Sequence, residues 1–207
     1  MNKILNSLSL ELLNLLNLHK LKIGTAESCT GGMLAQYLTM HPGSSNAYKY
    51  SFITYSNEAK VNMLNIKQKL LEDFGAVSKE VVCDMARNMI NYNNDIDIVL
   101  AISGIAGPGG ALPNKPVGLV HHALATKKAV KHERIIYKGN RETVRKLSVK
   151  TCLEMALNGK RAWWVAPTYT IARVGWRDIQ EAARSFPESL EPTISLVNME
   201  VKFPWSG

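Results

Sequence analysis

Segments that read as buried strands alternate along this chain with segments of helical period, and that alternation restricts the fold more than any other feature. "DIDIVLAISG" is the clearest strand: Ile98 to Ile102 is unbroken apolar sequence, which needs cover on both faces. "LKIGTAES" starts apolar and ends in small polar residues, as a strand does when it enters a loop, and "GGMLAQYLTM" then shows helical spacing. "YKYSFITYS" is aromatic and β-branched enough for another strand, and Asn57 is placed to cap a short helix beginning "EAKVNML". Helical patterns follow from Lys67 to Asp73, stopped by Gly75, and from Lys79 to about Asn91, started by Ser78. Beyond the loop "GIAGPGGALPNKP" come the strands "VGLVHHALAT" and "KHERIIYK", then a helix from Asn140 to Asn158 with Gly159 as its stop. The predicted fold class is α/β, a three-layer α/β/α sandwich with a mixed, mostly parallel sheet. It is mixed because the link between the strands near 117 to 138 is too short for a crossover.

The chain has 207 residues, 46% of them hydrophobic, enough for one sizeable core. The Leu-rich start, "ILNSLSLELLNLLNL", is interrupted by Asn6, Glu11, Asn14 and Asn17 and lacks a cleavage site, so it reads as an amphipathic helix and no membrane partner is expected. Leu5, Leu8, Leu12, Leu15 and Leu16 share a face that packs on the domain or on a second subunit, and a homo-oligomer, dimer or higher, is expected. Three cysteines, Cys29, Cys83 and Cys152, are odd in number and widely spaced, which indicates neither a disulfide framework nor a zinc site and fits a reducing cytoplasm. The net charge of +8 suits an anionic partner, yet the lysines are dispersed; a small anion is expected rather than nucleic acid. After Lys160 the character changes, because all four tryptophans lie in the last 47 residues. Residues 1–160 are therefore expected to form one domain and 161–207 an extension of unassigned role, with one short helix in "RDIQEAARSF".

"TAESCTGG" carries the candidate chemistry. A strand that stops at Ser28, followed by Thr30, Gly31 and Gly32 at a helix entrance, sets a hydroxyl beside main-chain N–H groups suited to an oxyanion or phosphate. Ser28 or Thr30 could equally serve as a helix cap. None of the five histidines makes a Ser-His-Asp pattern. A desolvated lysine can replace the histidine, and Lys60 in "TYSNEAK" sits one turn into a helix that opens at a strand end, delivering Tyr55 and Lys60 to one sheet edge. "SGIAGPGG" adds a strand ending in a glycine loop that lacks the dinucleotide spacing. Arg141 and Arg145, four apart, form either a phosphate clamp or surface ion pairs with residues such as Glu142.

In this order, "TAESCTGG", "YSNEAKVNML", "GAVSKEV", "AISGIAGPGG", "KPVGLV" and "GNRETVR" resemble the CinA C-terminal family, whose stand-alone members include nicotinamide-nucleotide amidases; the match runs over roughly residues 5 to 160. The resemblance implies a three-layer α/β fold, no metal or other cofactor, and a small nucleotide substrate. It implies hydrolysis of the carboxamide of nicotinamide mononucleotide to nicotinic acid mononucleotide and ammonia. It further implies Ser28 as nucleophile, Lys60 as base and Tyr55 orienting the lysine or relaying a proton. Thr30, Gly31, Gly32, Ser103, Gly104 and Arg141 fall at the substrate. A non-catalytic nucleotide-binding or regulatory module is the alternative. Larger family members carry a separate pyrophosphatase domain, whose activity is not expected here, and the tail after Lys160 has no counterpart in the family pattern.

Overall fold

The computed structural model describes residues 1–92 and 94–158, together with the backbone of two short strands nearer the C-terminus. The chain divides into two compact units, Met1–Trp164 and Val165–Gly207. The first contains α1 (Asn2–Leu18), β1 (Ile23–Glu27), α2 (Met33–Thr39), β2 (Tyr48–Ile53), α3 (Asn57–Leu64), α4 (Gln68–Phe74), α5 (Lys79–Tyr92), β3 (Ile98–Gly104), β4 (Leu119–Thr126), β5 (Val130–Ile136) and α6 (Arg141–Asn158). The second contains β6 (Thr193–Ser195) antiparallel to β7 (Glu200–Lys202). The expected stop at Gly159 and the helix in "RDIQEAARSF" fall outside the described residues.

The five strands of the first unit form one mixed sheet in the order β2-β1-β3-β4-β5. β1 pairs in parallel with both β2 and β3, whereas β3, β4 and β5 meander antiparallel. Parallel pairing thus accounts for half of the ladders, because the last three strands follow one another through links that hold no helix. Strand alternation sends Ile98, Leu100 and Ile102 into a core shared with α1, α2 and α6, and Val99 and Ala101 into one shared with α5. Sandwiching between these layers is why β1 is buried at every position. α1 lays Leu5, Leu12, Leu13 and Leu16 into the first core, with Leu8 and Leu15 half-buried beside them. Its apolar face is thus covered within the domain.

The helix ends are set locally. Ser56, not Asn57, caps α3: its Oγ accepts from Ala59 N at 3.0 Å and Asn57 is the first helical residue. Asn140 caps α6 through Thr143 N at 2.9 Å, and Ser78 Oγ accepts from Val81 N at the start of α5. No described helix is long and apolar enough to cross a membrane.

Candidate active site

β1, β2 and β3 run in parallel and stop at the same edge, Glu27 standing in register with Ile53 and Ile102. Ser28, Thr54 and Ser103 therefore emerge side by side at the carboxyl ends of the strands, where open α/β sheets place their ligands. Ser28 N donates to Ile102 O, and Ser28 O accepts from Gly31 N at 3.0 Å, which closes a tight turn. Ser28 keeps 8% of its surface exposed.

Lys60 comes from the first turn of α3. It shares the inward face of that helix with Leu64, four residues on, and only 1% of it is exposed. Its Nζ donates to Ser28 Oγ at 3.1 Å and to Thr54 O at 2.7 Å. Burial pulls the amine down to about 8, since the desolvated ammonium is the disfavoured form. Arg141, at the rim of the site, is not among the causes of this shift. The i, i+4 phase of Lys60 with Leu64 is the signal in the sequence that this lysine faces inward.

Cys29, next to the serine, takes the other face of the sheet. It belongs to the core beneath α2 and α6, and burial pushes its thiol up to about 12. Such a thiol is not ionised near neutrality and is a poor nucleophile.

Glu27 alters the expected oxyanion site. Its fully buried carboxylate accepts from Gly32 N at 3.1 Å, Leu34 N at 3.1 Å and Ala35 N at 2.8 Å, which fills the N-terminus of α2 with an internal anion. Gly31 N and Met33 N are also bonded, to Ser28 O and Thr30 O. Gly31 and Gly32 therefore do not offer the N–H groups expected of them. Among the described residues, the main-chain donors of this turn left without an acceptor on another residue are those of Cys29 and Thr30. The N–H following a nucleophile is a common oxyanion donor. Thr30 itself is buried, and its carbonyl accepts from Arg145 Nη2 at 2.6 Å. Gly32 is required for its backbone: φ is 89°, and a Cβ would meet Ile53 Cδ1 at 2.9 Å.

Three further assignments change. Tyr55 is 59% exposed, and its phenol oxygen accepts from Arg141 Nη2 at 2.9 Å, so Thr54 O, rather than Tyr55, orients Lys60. Ser103 is buried and donates to Ala76 O at 2.7 Å, a link that ties β3 to the loop before α5. Gly104 answers to packing, since a Cβ there would lie 2.8 Å from Leu119 O and 2.7 Å from Val120 Cγ2. Arg141 also donates to Gly107 O at 2.9 Å, so its guanidinium bridges the glycine loop and Tyr55 at the rim. Glu142 pairs with Lys146 and does not engage either arginine in an ion pair. Among the described residues no group of three or more His, Cys, Asp or Glu side chains could hold a metal ion.

The model of the CinA C-terminal domain matches residues 5–159. The chain belongs to this family. The CinA-like protein of Syntrophomonas wolfei is 46% identical over 134 residues, which cover 65% of this chain and 32% of that one. The CinA-like protein of Endomicrobium trichonymphae is 43% identical over 137 residues, 66% of this chain and 32% of its own length. The chain thus spans about a third of the length of these CinA-like relatives. Among solved structures, competence/damage inducible protein CihA from Agrobacterium tumefaciens superposes with a TM-score of 0.73 at 37% identity, over 75% of this chain and 94% of that one. The competence damage-inducible protein A (ComA) from Klebsiella pneumoniae gives 0.74 at 31% identity, over 77% and 98%. The α/β core of these CinA proteins is therefore the fold of this chain.

Proposed function

We propose that the chain is a serine amidohydrolase that converts nicotinamide mononucleotide and water into nicotinic acid mononucleotide and ammonia. The observation that carries this reading is the buried Lys60 amine, 3.1 Å from Ser28 Oγ and with its pKa lowered to about 8. With that pKa, about a tenth of the lysine is neutral at pH 7 and able to accept a proton. Ser28 Oγ attacks the carboxamide carbon while its proton passes to Lys60 Nζ. The N–H groups of Cys29 and Thr30 receive the oxyanion. As the C–N bond breaks, the Lys60 ammonium returns the proton to the leaving nitrogen, and ammonia departs from a Ser28 ester. Water then attacks the ester with Lys60 again as base, which releases the carboxylic acid and restores the serine. Thr54 O anchors the lysine through both halves.

Arg141 is the candidate for the substrate's phosphate. Two of its five N–H donors are spent on Gly107 and Tyr55, and these bonds hold the guanidinium plane while the rest can meet phosphate oxygens. A purely binding module would use the free N-terminus of α2 for phosphate, and Glu27 already fills it. Binding alone also gives no reason to bury a lysine against a serine hydroxyl. The deciding assay is ammonia release from nicotinamide mononucleotide by the purified chain. Turnover that falls by several powers of ten in Ser28→Ala is expected; no ammonia from the wild type, or undiminished release from the variant, refutes the reading.

A further inference from the structure

A second cluster of charge lies two strands away from Ser28. On the sheet face that carries Ser28, Ser103 is in register with His121 of β4, and His121 with Arg134 of β5. Arg134 and His121, with Ser78, Lys79 and Glu80 from the start of α5 and Lys115 from the loop before β4, line a cavity of about 270 Å³. The loop that runs from Gly75 to Ser78 separates it from the nucleophile, fastened to the sheet by the bond from Ser103 to Ala76 O.

We infer that this cavity is a binding site for a phosphate dianion, distinct from the amidase site. Three cations face one carboxylate there, which leaves two positive charges uncompensated when the histidines are neutral. Lys115 Nζ donates to Phe74 O, and neither Lys79 nor Arg134 makes an ion pair among the described residues. Like charges gathered in a concave site repel one another, and a bound anion relieves that repulsion. Main-chain donors add to the field: Val81 N and Val82 N are bonded to Ser78, which leaves the first N–H groups of α5 directed out of the helix end. His121 supplies a polar group at the cavity wall. One of its nitrogens, Nδ1, is paired with His132 Nε2 at 2.9 Å, which fixes the ring and leaves Nε2 for a ligand. Burial most of all, then His132, Arg134 and Lys115, holds this imidazole down to about 4, so it is neutral near pH 7. The cavity is open to solvent and has room for a phosphate group.

The test follows the histidine C–H proton resonances of the full chain during titration at about pH 8, where phosphate is a dianion. The probes are inorganic phosphate and adenosine monophosphate, with chloride at equal ionic strength as the reference. The His121 and His132 signals, assigned with His121→Gln and His132→Gln, are expected to move and saturate with phosphate but not chloride. The exposed pair of substitutions Lys79→Gln with Arg134→Gln should raise Kd at least tenfold. Lys127→Gln with Lys128→Gln, which removes the same charge elsewhere, should leave Kd unchanged, and so should Ser28→Ala, which empties the amidase site of its nucleophile. A tighter Kd for the mononucleotide assigns the site to phosphate esters, an equal one to phosphate itself. Shifts that chloride reproduces, that never saturate, or that both lysine-containing pairs weaken alike overturn the inference.

Discussion

Replacing Lys60 by methionine separates the cost of its burial from its use. The amine is 1% exposed and its pKa stands at about 8 against the 10.5 of an ordinary lysine. A folded-state pKa below the unfolded one means that the unfolded chain binds more protons between the two values, so stability rises with pH in that interval. Below about pH 8 the lysine is charged in both states and the penalty is complete, about 3 kcal/mol at 1.36 kcal/mol per pKa unit. Methionine fills a similar volume without a charge. Lys60→Met is therefore expected to be inactive but more stable than the wild type at pH 7, by up to about 3 kcal/mol less the lysine's two hydrogen bonds at roughly 1 kcal/mol each. The difference should fall by about 3 kcal/mol between about pH 8 and 10.5, so that above that interval the wild type, which keeps its two hydrogen bonds, is the more stable. Denaturant unfolding of both proteins across that range measures the difference directly. The wild-type rate supplies the second half of the test: with a pKa of about 8, kcat/KM rises roughly tenfold from pH 7 to 9 and then levels, whereas an ordinary lysine would give about a hundredfold rise with no plateau. A stability difference independent of pH, or a rate that climbs without levelling, would refute the argument that burial makes this lysine a base.

Cys29→Ala should keep most of its turnover, and thiol reagents should inactivate the wild type slowly, because the thiol is buried and held up to about 12; rapid inactivation relieved by that substitution would place the chemistry on sulfur. Arg141→Ala should raise KM for nicotinamide mononucleotide by roughly one to two powers of ten, a charge-assisted phosphate contact being worth about 1.5–3 kcal/mol, while leaving the slow reaction of nicotinamide riboside unchanged. Loss of kcat on both compounds would move Arg141 into the catalytic apparatus. Glu27→Ala leaves three N–H groups at the start of α2 without their acceptor, that of Leu34 buried, and is expected to cost about 3 kcal/mol in unfolding experiments, with Glu27→Gln recovering part; a neutral result would show that α2 needs no internal anion. A chain ending at Lys160 should keep its amidase activity, since every assigned residue precedes that point; an insoluble or inactive product would mean that the C-terminal segment completes the domain.

Much of the architecture follows from local pattern. The apolar run of β3, the helical spacing of α1 and α5, and Gly75 at the end of α4 depend on side-chain period and backbone preference, which act over a few residues. The separation of Ser28 from Cys29 onto opposite faces is of the same kind, since a strand alternates its side chains wherever it lies. Strand order and the working state of the site are different, because they depend on groups far apart in the chain. Arg141 reaches Tyr55 across 86 positions, and Arg145 reaches Thr30 across 115. Glu27 reads as a polar residue at a strand end until α2 folds back and presents three N–H groups to it. Lys60 is one of many lysines in the sequence; only the packing of α3 over the ends of β1 and β2 removes water from its amine. Desolvation is a property of everything that surrounds a group, so the tertiary structure, not the neighbouring residues, turns this ammonium into a base.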